Sequence, residues 1–277
     1  MGMRISTNVA SINAQRTLTS TQREIGKSYA QLSSGSRITK AADDAAGLGI
    51  SENLKSQIRS FSQASRNAND GISLVSVAEG GLGEVSNILT RLRELGIQAA
   101  SDTVGDRERG FIDREVQQLK SEVQRIAKTT RFGSTNLLDG SGHQYDIQVG
   151  INNDDFEDRI SFDPSELNAT ASNLGIDGLD FTSKQGAQEA LMTLDNAQVM
   201  VSSFRANIGA LQNRFLSTVE NLGVQHENLS AANSRIRDAD IAQSTAEAAR
   251  NNILLNASVG TLAQANANPQ LALKLIG

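Results

Sequence analysis

Apolar side chains recur every seven residues through the last third of the chain. The first series consists of Leu194, Val201, Ile208, Phe215, Leu222, Leu229 and Ile236. A second series, four residues ahead of each, consists of Ala190, Ala197, Phe204, Leu211, Thr218, Gln225 and Ala232. An a/d stripe sustained over six heptads predicts one long helix with one face packed against partner helices. Proline is absent from this span, so nothing in it forces the helix to break.

Residues 43–126 carry two further helical patterns. Asp43 or Asp44 is the predicted cap of a helix that runs through residues 54–95, and glycines at 80–83 predict a kink or a close helix approach within it. A loop near 101–106 separates it from a third helix. That helix has apolar residues at Ile112, Val116, Leu119, Val123 and Ile126.

The two ends of the chain have thinner apolar patterns in a polar background. The predicted seams are Ile5, Val9, Ile12, Leu18, Ile25 and Leu32 near the start, and Ile241, Leu255 and Leu262 near the end. A stripe this thin returns too little free energy to offset nucleation and ordering. We therefore expect both terminal helices to be disordered until something docks against them. The glycine-serine segment at 33–36 is the predicted turn or hinge after the first helix.

The pattern changes from period 3.6 to period 2 after Arg131. Alternating apolar residues at 145–151 and 160–162 flank a turn of Asn and Asp residues, which predicts a β-hairpin. Residues 163–183 are predicted to be an irregular surface excursion. The fold class is therefore mainly α: a long antiparallel helical bundle or coiled coil, a small β-hairpin region, and terminal helices that pair on assembly.

Composition excludes several functional classes. The 277 residues include no Cys and no Trp, and the formal net charge is −5. No apolar run is long enough to span a membrane, and the first residues lack the pattern of a cleaved signal peptide. Residues 1–40 carry six basic and one acidic side chain, yet without aromatic residues to stack on bases. We expect solvated helix faces there and no nucleic-acid partner.

Catalytic and metal-binding motifs are also lacking. His143 and His226 have no other ligand type at metal-binding spacing, and there is no P-loop or nucleophile elbow. The acidic cluster at 154–158 could touch Ca²⁺, but it lacks the ligand pattern of a calcium loop, so an exposed turn is preferred. We predict no enzyme activity, no catalytic or metal site and no cofactor.

Several motifs, in order along nearly the whole chain, resemble bacterial flagellin. They are residues 5–14 (ISTNVASINA), 32–38 (LSSGSRI), 42–50 (ADDAAGLGI), 89–95 (LTRLREL), 209–215 (GALQNRF), 228–232 (NLSAA), 234–240 (SRIRDAD) and 262–266 (LAQAN). The resemblance implies a structural subunit that polymerises into the flagellar filament for swimming motility. The alternative is a hook–filament junction (hook-associated) protein, which shares the terminal helices.

The resemblance also implies a division into domains. Residues 1–42 and 235–277 would pair as the inner-tube domain, 43–142 and 184–234 would form the helical core domain, and 143–183 would stand in place of the variable outer domains. The chain would be a short form that lacks those outer domains. A secreted enzyme or adhesin on a helical stalk would need a binding or catalytic insert there, and the stretch is too short for one.

Partners and location follow from the same resemblance. The implied partners are further copies of the chain, the flagellar export apparatus with its flagellin chaperone, and the filament cap and hook-associated proteins. The implied location is the extracellular flagellum, reached through the flagellar type III pathway without a cleaved signal peptide. The family's receptor-recognition patch, read by a vertebrate Toll-like receptor, maps onto Arg91, Leu95 and Glu115, where the family also makes subunit contacts.

Overall fold

The computed structural model describes residues 7–276, with side chains described for residues 7–267. The helices are α1 (Val9–Ser34), α2 (Ala45–Ala100), α3 (Asp106–Thr129), α4 (Lys184–Arg237) and α5 (Ile241–Ile276). The strands are β1 (Arg131–Phe132), β2 (Thr135–Asn136), β3 (Tyr145–Gln148) and β4 (Arg159–Phe162), and a 3₁₀ turn spans Pro164–Glu166. The mainly α fold with a small hairpin region is confirmed.

The described residues form two compact units. Unit 1 comprises the described parts of 1–58 and 228–277, and unit 2 comprises 59–227. Each unit therefore contains part of α2 and part of α4. The predicted division into inner-tube domain, helical core and hairpin region stays a prediction.

Within unit 2, α2 runs antiparallel to both α3 and α4. Arg91 of α2 contacts Glu115 of α3, while Arg93 of α2 contacts Asp195 of α4 with Nε and Oδ1 2.6 Å apart. The core between the three helices is mainly aliphatic, and its fully buried members include Leu82, Leu89, Leu92, Leu194, Ile208 and Phe215. The first heptad series of α4 is buried as far as Leu222. Beyond it, Gln225 is exposed and Leu229 is half-buried.

The glycines at 80–83 do not break α2, which is continuous from Ala45 to Ala100. Gly81 instead marks a close approach. A Cβ built there would lie 2.7 Å from Leu138 Cδ1 and 2.7 Å from Thr130 Oγ1. Of the two predicted alternatives, close packing is therefore the one that the structure shows.

The predicted hairpin is present as β3 and β4. The strands pair antiparallel with Tyr145 opposite Phe162 and Ile147 opposite Ile160. The hairpin packs on α2, because the Asn67 side-chain amide donates to the Gln148 carbonyl oxygen at 2.9 Å. A second, two-residue ribbon of β1 and β2 around Gly133 was not predicted.

The prediction of a surface excursion at 163–183 is wrong. The backbone there is irregular, as predicted, but its apolar side chains belong to the core. The buried members are Leu167, Ala169, Ala171, Leu174, Ile176, Leu179 and Phe181. The Gln124 side chain accepts a hydrogen bond from the Ala171 amide, and Asp113 accepts one from the Phe181 amide. The segment thus covers α3 and closes the core of unit 2, because side-chain bonds satisfy its non-helical backbone.

In unit 1, α1 and α5 pack antiparallel. The Asn8 side chain donates to the Ala265 carbonyl oxygen at one end, and Tyr29 contacts Asn252 farther along. The facing positions recur at heptad spacing and are mostly small or polar: Ser11, Ala14, Leu18, Thr21, Ile25, Ser28 and Leu32 on α1, and Ser244, Ala248, Asn251, Leu255, Ser258, Leu262 and Ala265 on α5. The pairing is present in the single chain. That the pair orders only on assembly stays a prediction.

Candidate assembly surfaces

The outer faces of α1 and α5 carry exposed apolar side chains. These are Val9, Ile12, Ile241, Ile253, Leu254 and Val259. Ile253 is 69% exposed although it lies mid-helix. They are spread along two long helices, and we take them as candidate positions for contact with other copies of the chain. We call these six residues the outer row.

The sequence-predicted assembly residues divide into two groups. Val9, Ile12 and Ile241 lie in the outer row, while Ile5 lies outside the described residues. The others are buried or half-buried on the seam between the two helices: Leu18, Ile25, Leu32, Leu255 and Leu262. Within one chain these five side chains serve the α1–α5 pairing.

Sequence reasoning missed Ile253, Leu254 and Val259. The predicted seam of Ile241, Leu255 and Leu262 implied a single contact surface, and these three residues lie outside that seam. The run Ile253-Leu254-Leu255 in a polar stretch was the available signal. Three consecutive large apolar residues cannot all face one partner helix, so at least one of them must point elsewhere.

Short connectors join each terminal helix to the rest of unit 1. α1 ends at Ser34, and Gly35 adopts φ +67°, so the predicted turn at 33–36 is confirmed. The Arg37 amide donates to the Arg237 carbonyl oxygen at 2.6 Å, and the Ala239 amide donates to Gly35 at 2.9 Å. The two connectors therefore lie side by side as an antiparallel bridge.

Asp43 organises the connector that enters α2. Its Oδ2 accepts from the Thr39 hydroxyl at 2.9 Å and from the Lys40 amide at 3.0 Å, and Lys27 Nζ lies 3.5 Å from Oδ1. These donors favour the charged form, with the Thr39 hydroxyl the largest cause, and they lower the Asp43 pKa to about 2. The neighbouring Asp44 caps α2 by accepting from the Gly47 amide at 2.8 Å.

The predicted patch at Arg91, Leu95 and Glu115 is only partly on the surface. Arg91 donates to Glu115 Oε1 from Nε at 3.0 Å and from Nη2 at 2.9 Å, and to Glu94 at 3.0 Å. The Glu115 bond, followed by the Glu94 bond, raises the Arg91 pKa above its ordinary value. Leu95 is only 2% exposed and packs in the core. The prediction that Leu95 is part of the exposed patch is therefore corrected: Leu95 lies beneath Arg91 and Glu115, in the core.

The turn of the β-hairpin holds the acidic cluster in a defined arrangement. Asp158 is buried and accepts from the Asn152 and Asp154 amides, at 3.2 and 3.1 Å. Asp154 accepts from the Glu157 and Phe156 amides, and these bonds lower its pKa. Across the part of the chain that the structure describes, no group of three or more His, Cys, Asp or Glu side chains could hold a metal ion.

Hydropathy of the helices gives one further finding. None of the helices, over the residues described, has a window apolar and long enough to cross a lipid bilayer.

Comparison with known proteins identifies the family. Residues 5–143 match the model of the bacterial flagellin N-terminal helical region, and residues 191–276 match that of the C-terminal helical region. A flagellin of Halalkalibacterium halodurans is 42% identical over 274 residues, covering 99% of this chain and 100% of the relative. The flagellar filament core protein flaB2 of Brachyspira hyodysenteriae is 39% identical over 289 residues, with 99% and 100% coverage.

A solved structure agrees with these matches. The crystal structure of Bacillus cereus flagellin superposes with a TM-score of 0.50 at 30% identity, covering 61% of this chain and 94% of that chain. With both helical regions and the full length of the curated relatives matched, this chain belongs to the bacterial flagellin family.

Proposed function

We infer that this chain is a structural subunit that polymerises into the bacterial flagellar filament for swimming motility. The observation that carries this inference is the outer row, a set of exposed aliphatic side chains on paired terminal helices, in a chain of the flagellin family. Relatives of nearly the same length are named flagellin and flagellar filament core protein. A filament subunit works outside the cell.

Burial of the outer row supplies the driving force. Fully covering a Val, Leu or Ile side chain contributes ~1.5–3 kcal/mol. Five or six such side chains per copy therefore favour association even after the cost of immobilising the copies. We propose that the row of one copy docks on a different surface of the next copy, so that the contact is heterologous. Repeated contacts that do not close into a ring generate an open helical filament.

Ordering of the tails is coupled to this contact. The seam between α1 and α5 consists largely of Ser, Thr, Asn and Ala, which bury little apolar area for two long helices. We propose that the helix pair is marginal in an isolated copy and becomes fully ordered when neighbouring copies cover the outer row.

The experiment is an assembly assay with matched variants. We expect deletion of residues 239–277 to leave a soluble, folded unit 2 that forms no filaments by negative-stain electron microscopy. Ile253→Ser and Val259→Ser should raise the critical concentration for assembly, while Ala257→Ser, at an exposed position on the same helix, should not. Filaments from the truncated chain would contradict the proposal.

The weaker alternative is a hook–filament junction protein. Relatives named flagellin and flagellar filament core protein match this chain over nearly its full length, which favours the filament subunit. Copy number separates the alternatives, because a junction protein is present in tens of copies per flagellum and a filament subunit in thousands. Quantitative immunoblots of isolated flagella measure that number directly.

Further partners are proposed from membership of the family. They are the flagellar export apparatus with a flagellin chaperone, and the filament cap and hook-associated proteins. We propose export by the flagellar type III route without cleavage of a signal peptide, and no enzyme activity. Secretion into the medium, lost when the flagellar export ATPase is deleted and retained when the general secretory route is blocked, tests the route. Mass spectrometry of the secreted N-terminus tests for cleavage.

Recognition by a vertebrate Toll-like receptor is a separate proposal for the Arg91–Glu115 pair. Both side chains are exposed and hydrogen-bonded to each other, whereas Leu95 is not accessible. We expect Arg91→Ala monomers to activate receptor-reporter cells less than unchanged monomers do. Arg125→Ala is the matched control, because Arg125 is also an exposed, ion-paired arginine but lies on α3. Equal activity of all three would contradict the proposal.

A further inference from the structure

The turn of the β-hairpin presents a single exposed aromatic ring. Phe156 is 83% exposed, more than any other exposed large hydrophobic residue whose side chain is described. Carboxylates surround it in sequence, with Asp154, Asp155 and Glu157 next to it. Neither the core of unit 2 nor the tail pairing uses this ring.

Hydrogen bonds within the turn hold its backbone in place. Asp158 and Asp154 accept four backbone amides of the turn. Arg159 contacts both Asp155 and Asn153. Because these bonds already fix the loop, docking of Phe156 needs little further ordering, which is the property of an interface anchor.

A complementary surface lies at the start of α3. Phe111 is 55% exposed, and the Arg114 guanidinium sits over its ring, 5.5 Å from the centroid. Arg107 lies one turn earlier on the same helix. Over the described residues, no carboxylate lies within salt-bridge distance of Arg107 or Arg114. Likewise, no Lys, Arg or His side chain among the described residues lies within salt-bridge distance of Glu157. One surface thus combines an aromatic ring with negative charge, and the other combines an aromatic ring with positive charge.

The two surfaces lie at opposite ends of unit 2. α2 contacts the hairpin at Asn67, whose side chain donates to the Gln148 carbonyl. It contacts the start of α3 at Ala99, whose carbonyl accepts from Arg109 at 2.9 Å. A helix rises 1.5 Å per residue, so the two levels are about 50 Å apart. Phe156 and Phe111 of one copy therefore cannot touch.

We propose that Phe156 of one copy docks on the Phe111–Arg114 surface of the next copy, so that unit 2 stacks head to tail. Glu157 then faces Arg114 or Arg107 at the rim of the contact, and the two rings pack at its centre. This inference rests on the proposed filament function and names the second contact surface of the subunit, distinct from the outer row. A head-to-tail contact between opposite ends propagates without closure, as a filament requires.

Cysteine cross-linking tests the stacking, because the chain has no Cys of its own. Filaments of the Phe111→Cys/Phe156→Cys variant, treated with a short thiol-specific cross-linker, should give a ladder of covalent multimers on denaturing gels. A Val199→Cys/Phe156→Cys variant, with the first cysteine at an exposed position midway along unit 2, should give none. Filaments without a ladder overturn the inference but leave the filament function standing. Dimers from Phe156→Cys alone would indicate tip-to-tip contact and overturn it as well.

Charge exchange provides a second, independent test. Glu157→Arg and Arg114→Glu should each raise the critical concentration for assembly about tenfold, since each places like charges together. An equimolar mixture of the two variants should assemble nearly as well as the unchanged chain, because every contact then joins opposite charges. If the mixture assembles no better than either variant alone, the pairing is wrong. Failure of the unchanged chain to form filaments would instead contradict the proposed function.

Discussion

Arg37 caps the C-terminal end of α4 by hydrogen-bonding to Ile236, which lies 199 residues away in the sequence. The Arg37 guanidinium donates to the Ile236 carbonyl oxygen, at 2.6 Å from Nη2 and 3.2 Å from Nε. Ile236 lies in the last turn of α4, whose carbonyl groups have no partner within the helix. A cation there satisfies the carbonyl and also opposes the negative end of the helix dipole.

Removal of this cap should loosen the connectors. We expect Arg37→Ala to lower the free energy of unfolding of unit 1 by about 1 kcal/mol, because the bonds are charge-assisted but exposed. Hydrogen exchange by mass spectrometry should show faster exchange in α1 and α5 and no change in α3. Arg16→Ala, which removes an exposed arginine of α1, should leave both rates unchanged, and an equal effect from it would contradict the capping role.

Asp43 should make the stability of unit 1 depend on acid. Its pKa is about 2 in the folded chain and near 3.8 in the unfolded chain, so the unfolded chain binds the proton more readily. Its contribution is therefore complete above about pH 4 and disappears as the pH falls through 2. We expect Asp43→Asn to lower the melting temperature at pH 6, with the difference shrinking toward pH 2. Glu24→Gln, an exposed change on α1, is the control, and a pH-independent difference for Asp43→Asn would count against the argument.

Arg109 should be the most sensitive arginine of unit 2. It is buried, and it donates to the Ala99 carbonyl at 2.9 Å, to the Ser101 carbonyl at 3.0 Å and to Asp106 at 2.7 Å. Its loss removes a donor from the Ala99 carbonyl in the last turn of α2 and one from the Ser101 carbonyl, which then keeps only the long bond from the Val104 amide at 3.4 Å. We expect Arg109→Met to cost about 3 kcal/mol in denaturant unfolding of the monomer. Arg107→Met, two residues away and exposed, should cost less than about 0.5 kcal/mol. Equal costs would contradict the proposed role of Arg109.

Periodicity in the sequence predicted the helices and strands that bury side chains at regular intervals. The heptads of α4, the stripe of α3 and the alternation of β3 and β4 each reflect a regular backbone that buries every third, fourth or second residue. The irregular segment at 163–183 has no such period, so its burial could not be predicted from spacing. Its position depends on core packing and on hydrogen bonds to residues distant in sequence, among them Gln124 and Asp113.

The candidate surfaces were less predictable for a related reason. A thin apolar stripe on a terminal helix looks the same whether it faces a helix of its own chain or of a neighbour. Whether Leu255 or Ile253 faces α1 depends only on the rotation of α5 about its own axis, and packing sets that rotation. Leu95 likewise became a core residue because α2 packs on two helices at once, which leaves it little exposed surface.

Gly81 should tolerate no side chain, while its neighbour Gly80 should improve with one. In a helix interior, Gly→Ala normally stabilises by about 1 kcal/mol, and a Cβ at Gly80 meets nothing within 4 Å. At Gly81 the new Cβ would lie 2.7 Å from Leu138 Cδ1 and from Thr130 Oγ1. Leu138 is fully buried, and the Thr130 hydroxyl donates to the Ile126 carbonyl, so neither can move at little cost. Overpacking of this kind costs about 1–3 kcal/mol and exceeds the gain in helix propensity. Chemical denaturation of the two alanine variants should therefore move the midpoint in opposite directions, up for Gly80→Ala and down for Gly81→Ala. A shift in the same direction for both would mean that α2 does not pack closely at Gly81.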